Sequence, residues 1–182
     1  FTINDDVTEF SLTLRKGLKW SDGEPVTMDD IKFGWEDCNL NEQITPVVGS
    51  RYKDGGDPAG DVMTVTYVDD YTFEVKFKEP NGSFLLALGM GNTWTPYGWL
   101  FRPKHYLQQW HPKYAEDLAD KLKDANLKAE EWPTLFNQHM CSQWDLGSMA
   151  EKCVNSPGLQ PYIMTQVTSE AVTFERNPYY FK

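Results

Sequence analysis

The decisive stretch of this 182-residue chain is Leu14-Arg-Lys-Gly-Leu-Lys-Trp-Ser-Asp-Gly-Glu-Pro-Val-Thr-Met-Asp-Asp-Ile-Lys-Phe-Gly-Trp-Glu36. Apolar and polar residues alternate over 10–14, which predicts a half-buried strand that leads into it. The glycines and the proline that follow are typical of turns. Thr27 stands at an N-cap position, and Asp29 and Asp30 fall in the first helical turn, where carboxylates favour the helix dipole. The stretch therefore predicts a strand, a turn and a capped helix.

The predicted helix carries one apolar stripe. Met28, Ile31, Trp35 and Cys38 recur at helical spacing, so they should share a buried face. Trp20, in the preceding turn, should also pack inward. These residues are expected to form scaffold and not to contact a ligand, because each already has a folding role.

Two β-hairpins are predicted further along the chain. Alternation over 63–67 and 71–77, around Asp69 and Asp70, predicts the first. A second hairpin is predicted over 162–175, with its turn at 168–170.

The rest of the chain has helical signals. The apolar run 83–88 predicts one or two buried helical turns. Pro103 fits a first helical position. Apolar residues at helical spacing over 115–125 and 132–144 predict two amphipathic helices.

Composition excludes some classes of function. The net charge is −10, which argues against nucleic acid or an anionic membrane face as a partner. The sequence has no apolar run near the length of roughly 20 residues that a transmembrane helix requires. Aromatic residues make up 14% and include seven Trp, a composition suited to stacking on sugar rings or packing on peptide side chains.

The three cysteines are Cys38, Cys141 and Cys153. Their spacing does not match zinc or thioredoxin-like motifs. Cys141 and Cys153 lie in a loop-rich stretch and would pair in an oxidising compartment. The sequence leaves two alternatives open for this pair: a disulfide bond, or two separate thiols.

The sequence gives only weak evidence for a metal site or a catalytic site. The acidic segment 54–61 suggests calcium, but it departs from the EF-hand pattern, so a solvated loop is expected. His105 and His111 are six residues apart, which would place them on different faces of one helix. Glu74 with Asp61 could form a glycosidase-like pair, although Glu74 should face solvent on a hairpin. We expect no metal, no cofactor and no enzymatic activity, since familiar hydrolase and phosphate-binding motifs are missing from the sequence.

Three blocks of sequence carry a resemblance to a known family. Residues 14–36, the block Asp69–Pro80 and the block Val172–Phe181 occur in the same order as in the family 5 extracellular solute-binding proteins of ABC importers. That family includes oligopeptide-, dipeptide- and nickel-binding receptors. The resemblance implies an α+β fold, a mostly antiparallel sheet with packed helices. Such a unit is a subdomain of a two-lobe periplasmic-binding-protein-like (type II) fold.

The resemblance also implies a domain organisation. Receptors of this family are several times longer, so the chain is expected to be a fragment of one lobe. Residues 1–158 would form the smaller subdomain of the first lobe, and residues 159–182 a return hairpin leading into the rest. An export signal is expected outside the chain.

The candidate ligand-binding residues also follow from the resemblance. In peptide receptors of this family, the stretch after the second block reaches towards the ligand, and a second loop, 44–48 here, approaches it. The implied ligand-binding residues are Val47, Met90, Asn92, Trp94, Tyr97 and Trp99. The alternative is that the aromatic residues of 89–99 pack beneath their own loop.

As a function, the resemblance implies the substrate-binding component of an ABC importer. It would capture an oligopeptide or an oligosaccharide by closure of two lobes. The region 102–143 resembles a branch of the family with a helical insertion, in which some members bind oligosaccharides. We expect a monomer that binds ABC permease subunits. The protein would be either periplasmic or anchored as a lipoprotein on the outer face of the cytoplasmic membrane. The alternatives are a structural or adhesion domain with the same fold and, last, a hydrolase.

Overall fold

A computed structural model describes residues 1–89, 100–141 and 150–181. Contacts between Cα atoms divide the chain into two compact units. Unit 1 comprises Phe1–Leu18 and Val26–Phe101, and unit 2 comprises Lys19–Pro25 and Arg102–Lys182. The predicted boundary at residue 158 concerns the lobes of a longer receptor and stays a prediction.

Unit 1 contains a four-stranded antiparallel sheet made of β1 (Thr2–Ile3), β2 (Glu9–Thr13), β3 (Thr64–Tyr67) and β4 (Thr72–Lys76). The order of the strands in the sheet is β1-β2-β4-β3. The predicted first hairpin is confirmed, with Val65 opposite Val75. Asp69 shapes its turn by accepting hydrogen bonds from the backbone N–H groups of Tyr71 and Thr72, both at 2.8 Å.

The core of unit 1 lies on one face of this sheet. Strand residues alternate between the two faces, so the apolar set of β2 and β4 points one way and the polar set points to solvent. The largest buried side chains of this core are Phe10, Trp35, Tyr52, Phe73, Phe77 and Phe84. Phe10, Phe77 and Phe84 meet edge to face, with ring centroids 4.9–5.9 Å apart.

The predicted capped helix is confirmed, with one difference in geometry. Helix α1 (Met28–Lys32) continues as a π-helix over Phe33–Asn39. Asp30 accepts a hydrogen bond from the Thr27 backbone N–H at 2.8 Å, as a capping box requires. The predicted stripe faces the core: Ile31, Trp35 and Cys38 are at most 3% exposed, and Met28 is partly buried.

The described residues of unit 1 also form shorter helices. They include the 3₁₀ turns Ser50–Tyr52 and Asp54–Gly56 and helix α2 (Phe84–Gly89). Helix α2 confirms the predicted position, but its burial is one-sided. Phe84 is fully buried, whereas Leu86 is 62% exposed.

The described part of unit 2 forms short helices and one hairpin. Its elements are α3 (Lys104–Leu107), a 3₁₀ turn (Gln108–Trp110), α4 (Leu118–Asp124), a 3₁₀ turn (Ala129–Glu131), α5 (Trp132–His139), a 3₁₀ turn (Ala150–Cys153), β5 (Tyr162–Val167) and β6 (Val172–Arg176). The antiparallel pairing of β5 with β6 confirms the second predicted hairpin.

Two predictions for the helical region are wrong in detail. Helix α4 begins at Leu118, because Ala115 belongs to a turn in which its N–H donates to the carbonyl of His111 at 3.0 Å. His105 lies in α3, whereas His111 follows the next 3₁₀ turn. The two histidines therefore do not share a helix. Trp144, at the end of the second predicted helix, lies outside the described residues.

The structure joins Cys141 to Cys153 by a disulfide, with Cα atoms 5.4 Å apart. This bond connects the residues after α5 to the 3₁₀ turn that precedes β5. Cys38, in the π-helix of unit 1, is buried at 2% exposure.

Candidate ligand-binding region

Of the six ligand-binding residues implied by the resemblance, Val47 is the one within the described part of the chain. Met90, Asn92, Trp94, Tyr97 and Trp99 lie outside it. Val47 is 76% exposed, while Ile44 is buried and Val48 packs against the core of unit 1. The loop is thus held by its neighbours and presents Val47 outward.

The described residues that flank 90–99 pack in unit 1. Phe84 of α2 and Leu100 belong to the buried core cluster, and Leu88 and Phe101 are partly buried and pack against it. The described residues on both sides of 90–99 therefore pack on the same hydrophobic core.

The approach to α2 is positioned by a buried carboxylate. Asp54 is 9% exposed, and its Oδ1 accepts hydrogen bonds from the backbone N–H groups of Lys78 at 2.8 Å and Glu79 at 3.4 Å. Gly60 allows this loop to close, because a Cβ there would lie 2.6 Å from the carbonyl oxygen of Asp54. Asp54 thus departs from the solvated loop that the sequence predicts for 54–61, since two distant amides enclose it.

Asn81 links the same loop to the start of α2. It is 1% exposed, its Nδ2 donates to the carbonyl of Lys53 at 2.9 Å, and its Oδ1 accepts from the Ser83 hydroxyl at 3.0 Å. Sequence inspection missed both Asp54 and Asn81. The clustered glycines and the Pro-Asn-Gly sequence indicate turns at these positions. They do not identify the hydrogen-bond partners of Asp54 and Asn81, which lie in other parts of the chain.

The signature loop, residues 19–25, is bonded into unit 2. Trp20 is 1% exposed. Ser21 and Gly158 exchange two hydrogen bonds: the Ser21 N–H donates to the Gly158 carbonyl, and the Gly158 N–H donates to the Ser21 hydroxyl, both at 3.0 Å. Asp22 Oδ2 and His105 Nε2 lie within hydrogen-bonding distance, 2.8 Å apart. These contacts give the loop the scaffold role that its sequence predicted.

Asn177, from the third block, completes this arrangement. It is 1% exposed, and its Nδ2 donates to the carbonyl of Gln160 at 2.8 Å. Its Oδ1 accepts from the backbone N–H of Tyr179 at 2.8 Å. The ring of Tyr179 lies so close to Gly23 that a Cβ there would be 3.1 Å from the phenol oxygen. The first and third blocks therefore contact each other within unit 2.

The structure gives the surroundings of Asp61 and Glu74, the two carboxylates considered as a glycosidase-like pair. Asp61 forms an ion pair with Lys78, with Oδ2 and Nζ 2.6 Å apart. This hydrogen bond, together with the lysine charge, lowers the pKa of Asp61. A general acid needs a raised pKa, so Asp61 does not suit that role. Glu74 is exposed on the outer face of the sheet, beside an open concavity of about 430 Å³.

The described residues offer neither a metal site nor a membrane span. Among them, no group of three or more His, Cys, Asp or Glu side chains is placed to hold a metal ion. Within 1–89, 100–141 and 150–181, no helix is both long and apolar enough to span a bilayer.

Comparison with known proteins agrees with this architecture. The model of the family described as bacterial extracellular solute-binding proteins, family 5 Middle, matches residues 1–182. The chain belongs to this family. The resemblance of the three blocks and the α+β fold of the periplasmic-binding-protein type are thereby confirmed.

Two curated relatives are informative. The periplasmic alpha-galactoside-binding protein of Rhizobium meliloti (strain 1021) is 29% identical over 181 residues, which cover 98% of this chain and 21% of that protein. The periplasmic oligopeptide-binding protein OppA of Escherichia coli (strain K12) is 32% identical over 159 residues, which cover 74% of this chain and 27% of OppA. The chain thus spans about a fifth to a quarter of these relatives.

Solved structures of similar proteins support the fold. A structure of an oligopeptide-binding protein OppA matches with a TM-score of 0.73 at 31% identity, covering 98% of this chain and 25% of that one. The periplasmic binding protein MelB from Agrobacterium fabrum C58, in complex with stachyose, matches with a TM-score of 0.64 at 23% identity. The match covers 99% of this chain and 22% of the MelB chain. At that identity, the likeness to MelB shows the fold alone.

Proposed function

We propose that this chain is part of the substrate-binding component of an ABC importer, which captures an oligosaccharide or an oligopeptide. The observation that carries the proposal is the family 5 match along residues 1–182. The two proposed ligand classes are those that the curated relatives are named for, since one binds alpha-galactosides and the other oligopeptides. Two lobes would close around the ligand, exclude water and present the closed form to the permease.

Residues Met90, Asn92, Trp94, Tyr97 and Trp99, together with Val47, are proposed to contact the ligand. The anchoring of α2 and Leu100 to one core supports this, because it would hold a ligand-binding segment in place at both ends. The exposure of Val47 supports its part in the site. Aromatic side chains would stack on sugar rings or cover peptide side chains, and backbone groups would add hydrogen bonds.

The wider biology is proposed on the same basis. The receptor would be non-catalytic, monomeric and located outside the cytoplasmic membrane, either in the periplasm or anchored as a lipoprotein. Residues 1–158 and 159–182 would belong to the smaller subdomain of the first lobe and to its return hairpin. A relative named as periplasmic supports the location.

The test is a ligand titration of the full-length receptor. Thermal unfolding and Trp fluorescence are followed with stachyose, cello- and xylo-oligosaccharides, and di- to pentapeptides. Saturating ligand should stabilise the receptor by about 2.7 kcal/mol at 100 times the Kd. Trp94→Ala should weaken binding, whereas Trp94→Phe, which keeps an aromatic face, should retain most of it. If neither sugars nor peptides raise the unfolding temperature, the proposed ligand classes are wrong.

A further inference from the structure

The loop that presents Val47 begins with a turn built on Asn41. The Oδ1 atom of Asn41 accepts a hydrogen bond from the backbone N–H of Gln43 at 3.0 Å. Its backbone carbonyl accepts the N–H of Ile44 at 3.0 Å and that of Thr45 at 2.7 Å. Asparagine suits this position because its short side chain can bond to the backbone two residues further on. Asn41 thus supplies the acceptors for three successive N–H groups of the loop.

Pro46 separates this turn from Val47. A proline ring fixes its own φ near about −65° and offers no N–H, so the hydrogen-bonded turn ends before it. The ring also disfavours the helical conformation for the preceding residue, Thr45. The turn and the proline together limit the directions that the backbone can take as it reaches Val47.

The two neighbours that flank the exposed part of the loop point inward. Ile44 is 8% exposed, and Val48 packs against the core of unit 1. Beyond Val48 the chain turns again, since the N–H of Tyr52 donates to the carbonyl of Gly49 at 3.0 Å and the Tyr52 side chain is buried. Val47 is therefore presented outward from a loop that is fixed on both sides.

We propose that Asn41 is a positioning residue of the ligand-binding site, because its turn orders the loop that carries Val47 before ligand arrives. This inference rests on the proposed function, since it requires that Val47 contacts the ligand. A loop that is ordered in advance loses less conformational freedom on binding, and the affinity gains accordingly. Asn41 acts through Val47 and not through a ligand contact of its own.

The first measurement follows the turn itself in the ligand-free, full-length receptor. Hydrogen exchange, measured by mass spectrometry on peptides that contain residues 42–45, compares Asn41→Ala with the wild type. Asn41→Ala removes the Oδ1 acceptor, so these amides should exchange about threefold faster. Asn41→Asp and Asn41→Ser keep an acceptor oxygen and should exchange at nearly the wild-type rate. Unchanged exchange in Asn41→Ala would overturn the proposal.

The second measurement determines whether the turn acts through Val47. The probe is the compound that binds the wild-type receptor most tightly among stachyose, cello- and xylo-oligosaccharides and di- to pentapeptides, and calorimetry gives its Kd. Asn41→Ala should raise the Kd about fivefold, because the loop must then be ordered on binding. In a Val47→Ala background the same substitution should raise the Kd by less than about twofold. No loss in the wild-type background, or an equal loss in both backgrounds, would overturn the proposal.

Asn4 offers a matched control within unit 1. Its Oδ1 accepts the backbone N–H groups of Thr8 at 2.9 Å and Glu9 at 2.8 Å, so Asn4→Ala also removes the acceptor of a turn. The Kd of Asn4→Ala should stay within about twofold of the wild-type value. An equal loss in Asn4→Ala and Asn41→Ala would show general destabilisation and contradict the positioning role.

The two levels of the proposal fail in different ways. If no sugar or peptide of the panel binds the wild-type receptor, the proposed function is wrong and the role of Asn41 falls with it. If a compound binds but the effects of Asn41→Ala and Val47→Ala are independent, the proposed function stands and the positioning role alone is wrong.

Discussion

Replacement of Ser21 by alanine tests whether the signature loop is scaffold. Ser21 is 8% exposed, and its hydroxyl accepts the Gly158 N–H at 3.0 Å. In Ser21→Ala the reverse bond, from the residue 21 N–H to the Gly158 carbonyl, can persist. The Gly158 N–H, however, remains buried without an acceptor.

The expected cost follows from that single unsatisfied group. A buried donor without a partner costs about 1–3 kcal/mol. A loss of about 2 kcal/mol lowers the unfolding temperature by about 4–8 °C in a domain of 150–250 residues. Ser21→Thr keeps a hydroxyl and should lose less than Ser21→Ala.

The assay compares urea and thermal unfolding of the full-length receptor with its ligand affinity. Ser169→Ala, an exposed serine in the β5–β6 turn, is the matched control and should change stability by less than about 0.5 kcal/mol. Ser21→Ala should keep its ligand affinity, since Ser21 has its bonds within unit 2. Normal stability combined with lost affinity would refute the scaffold role.

Three further predictions concern the loop before α2, the disulfide and the exposed valine. Asp54→Ala should lower the free energy of unfolding by about 1–3 kcal/mol in urea titrations, because two backbone amides lose their acceptor, and Asp54→Asn should lose less; equal losses would contradict this account. Removal of the Cys141–Cys153 bond by a double serine substitution should cost about 3 kcal/mol, the chain-entropy value for a loop with a sequence separation of 12; an unchanged unfolding midpoint would count against it. Val47→Ala should leave stability within about 0.5 kcal/mol, since the side chain is 76% exposed. In the same variant, calorimetry should show ligand affinity falling by up to about tenfold if Val47 is buried by the ligand, and unchanged affinity would remove Val47 from the site.

Sequence patterns predicted best what depends on neighbouring residues. The N-cap at Thr27 and the turn at Asp69 each involve groups within three positions in the chain, so residue type and spacing suffice to identify them. The hairpin β3–β4 followed from strict alternation, because a shift of one residue would turn its apolar set towards solvent. Helical spacing over 115–125 was less reliable. Ala115 lies in a turn that precedes the helix, and the helix begins at Leu118.

Groups that meet across long separations could not be predicted. Ser21 and Gly158 are 137 residues apart, and Asp54 meets the amides of Lys78 and Glu79 more than 20 residues away. In both cases the polar group is suited to a turn by its residue type. Its burial depends on a distant segment that no local pattern specifies.

The residues that carry the family resemblance are largely different from those proposed to bind ligand. Trp20 and Ser21 are buried, and Asp22 is paired with His105, all within unit 2. Residues that are already bonded to the scaffold can identify the fold, but they cannot distinguish a sugar from a peptide. The residues proposed to set ligand preference are instead Val47, which is exposed, and the segment 90–99. This separation explains why relatives that bind alpha-galactosides and relatives that bind oligopeptides can match the same chain to a similar degree. It also means that exchange of the segment 90–99 between such receptors should alter ligand preference without disturbing the fold of either unit.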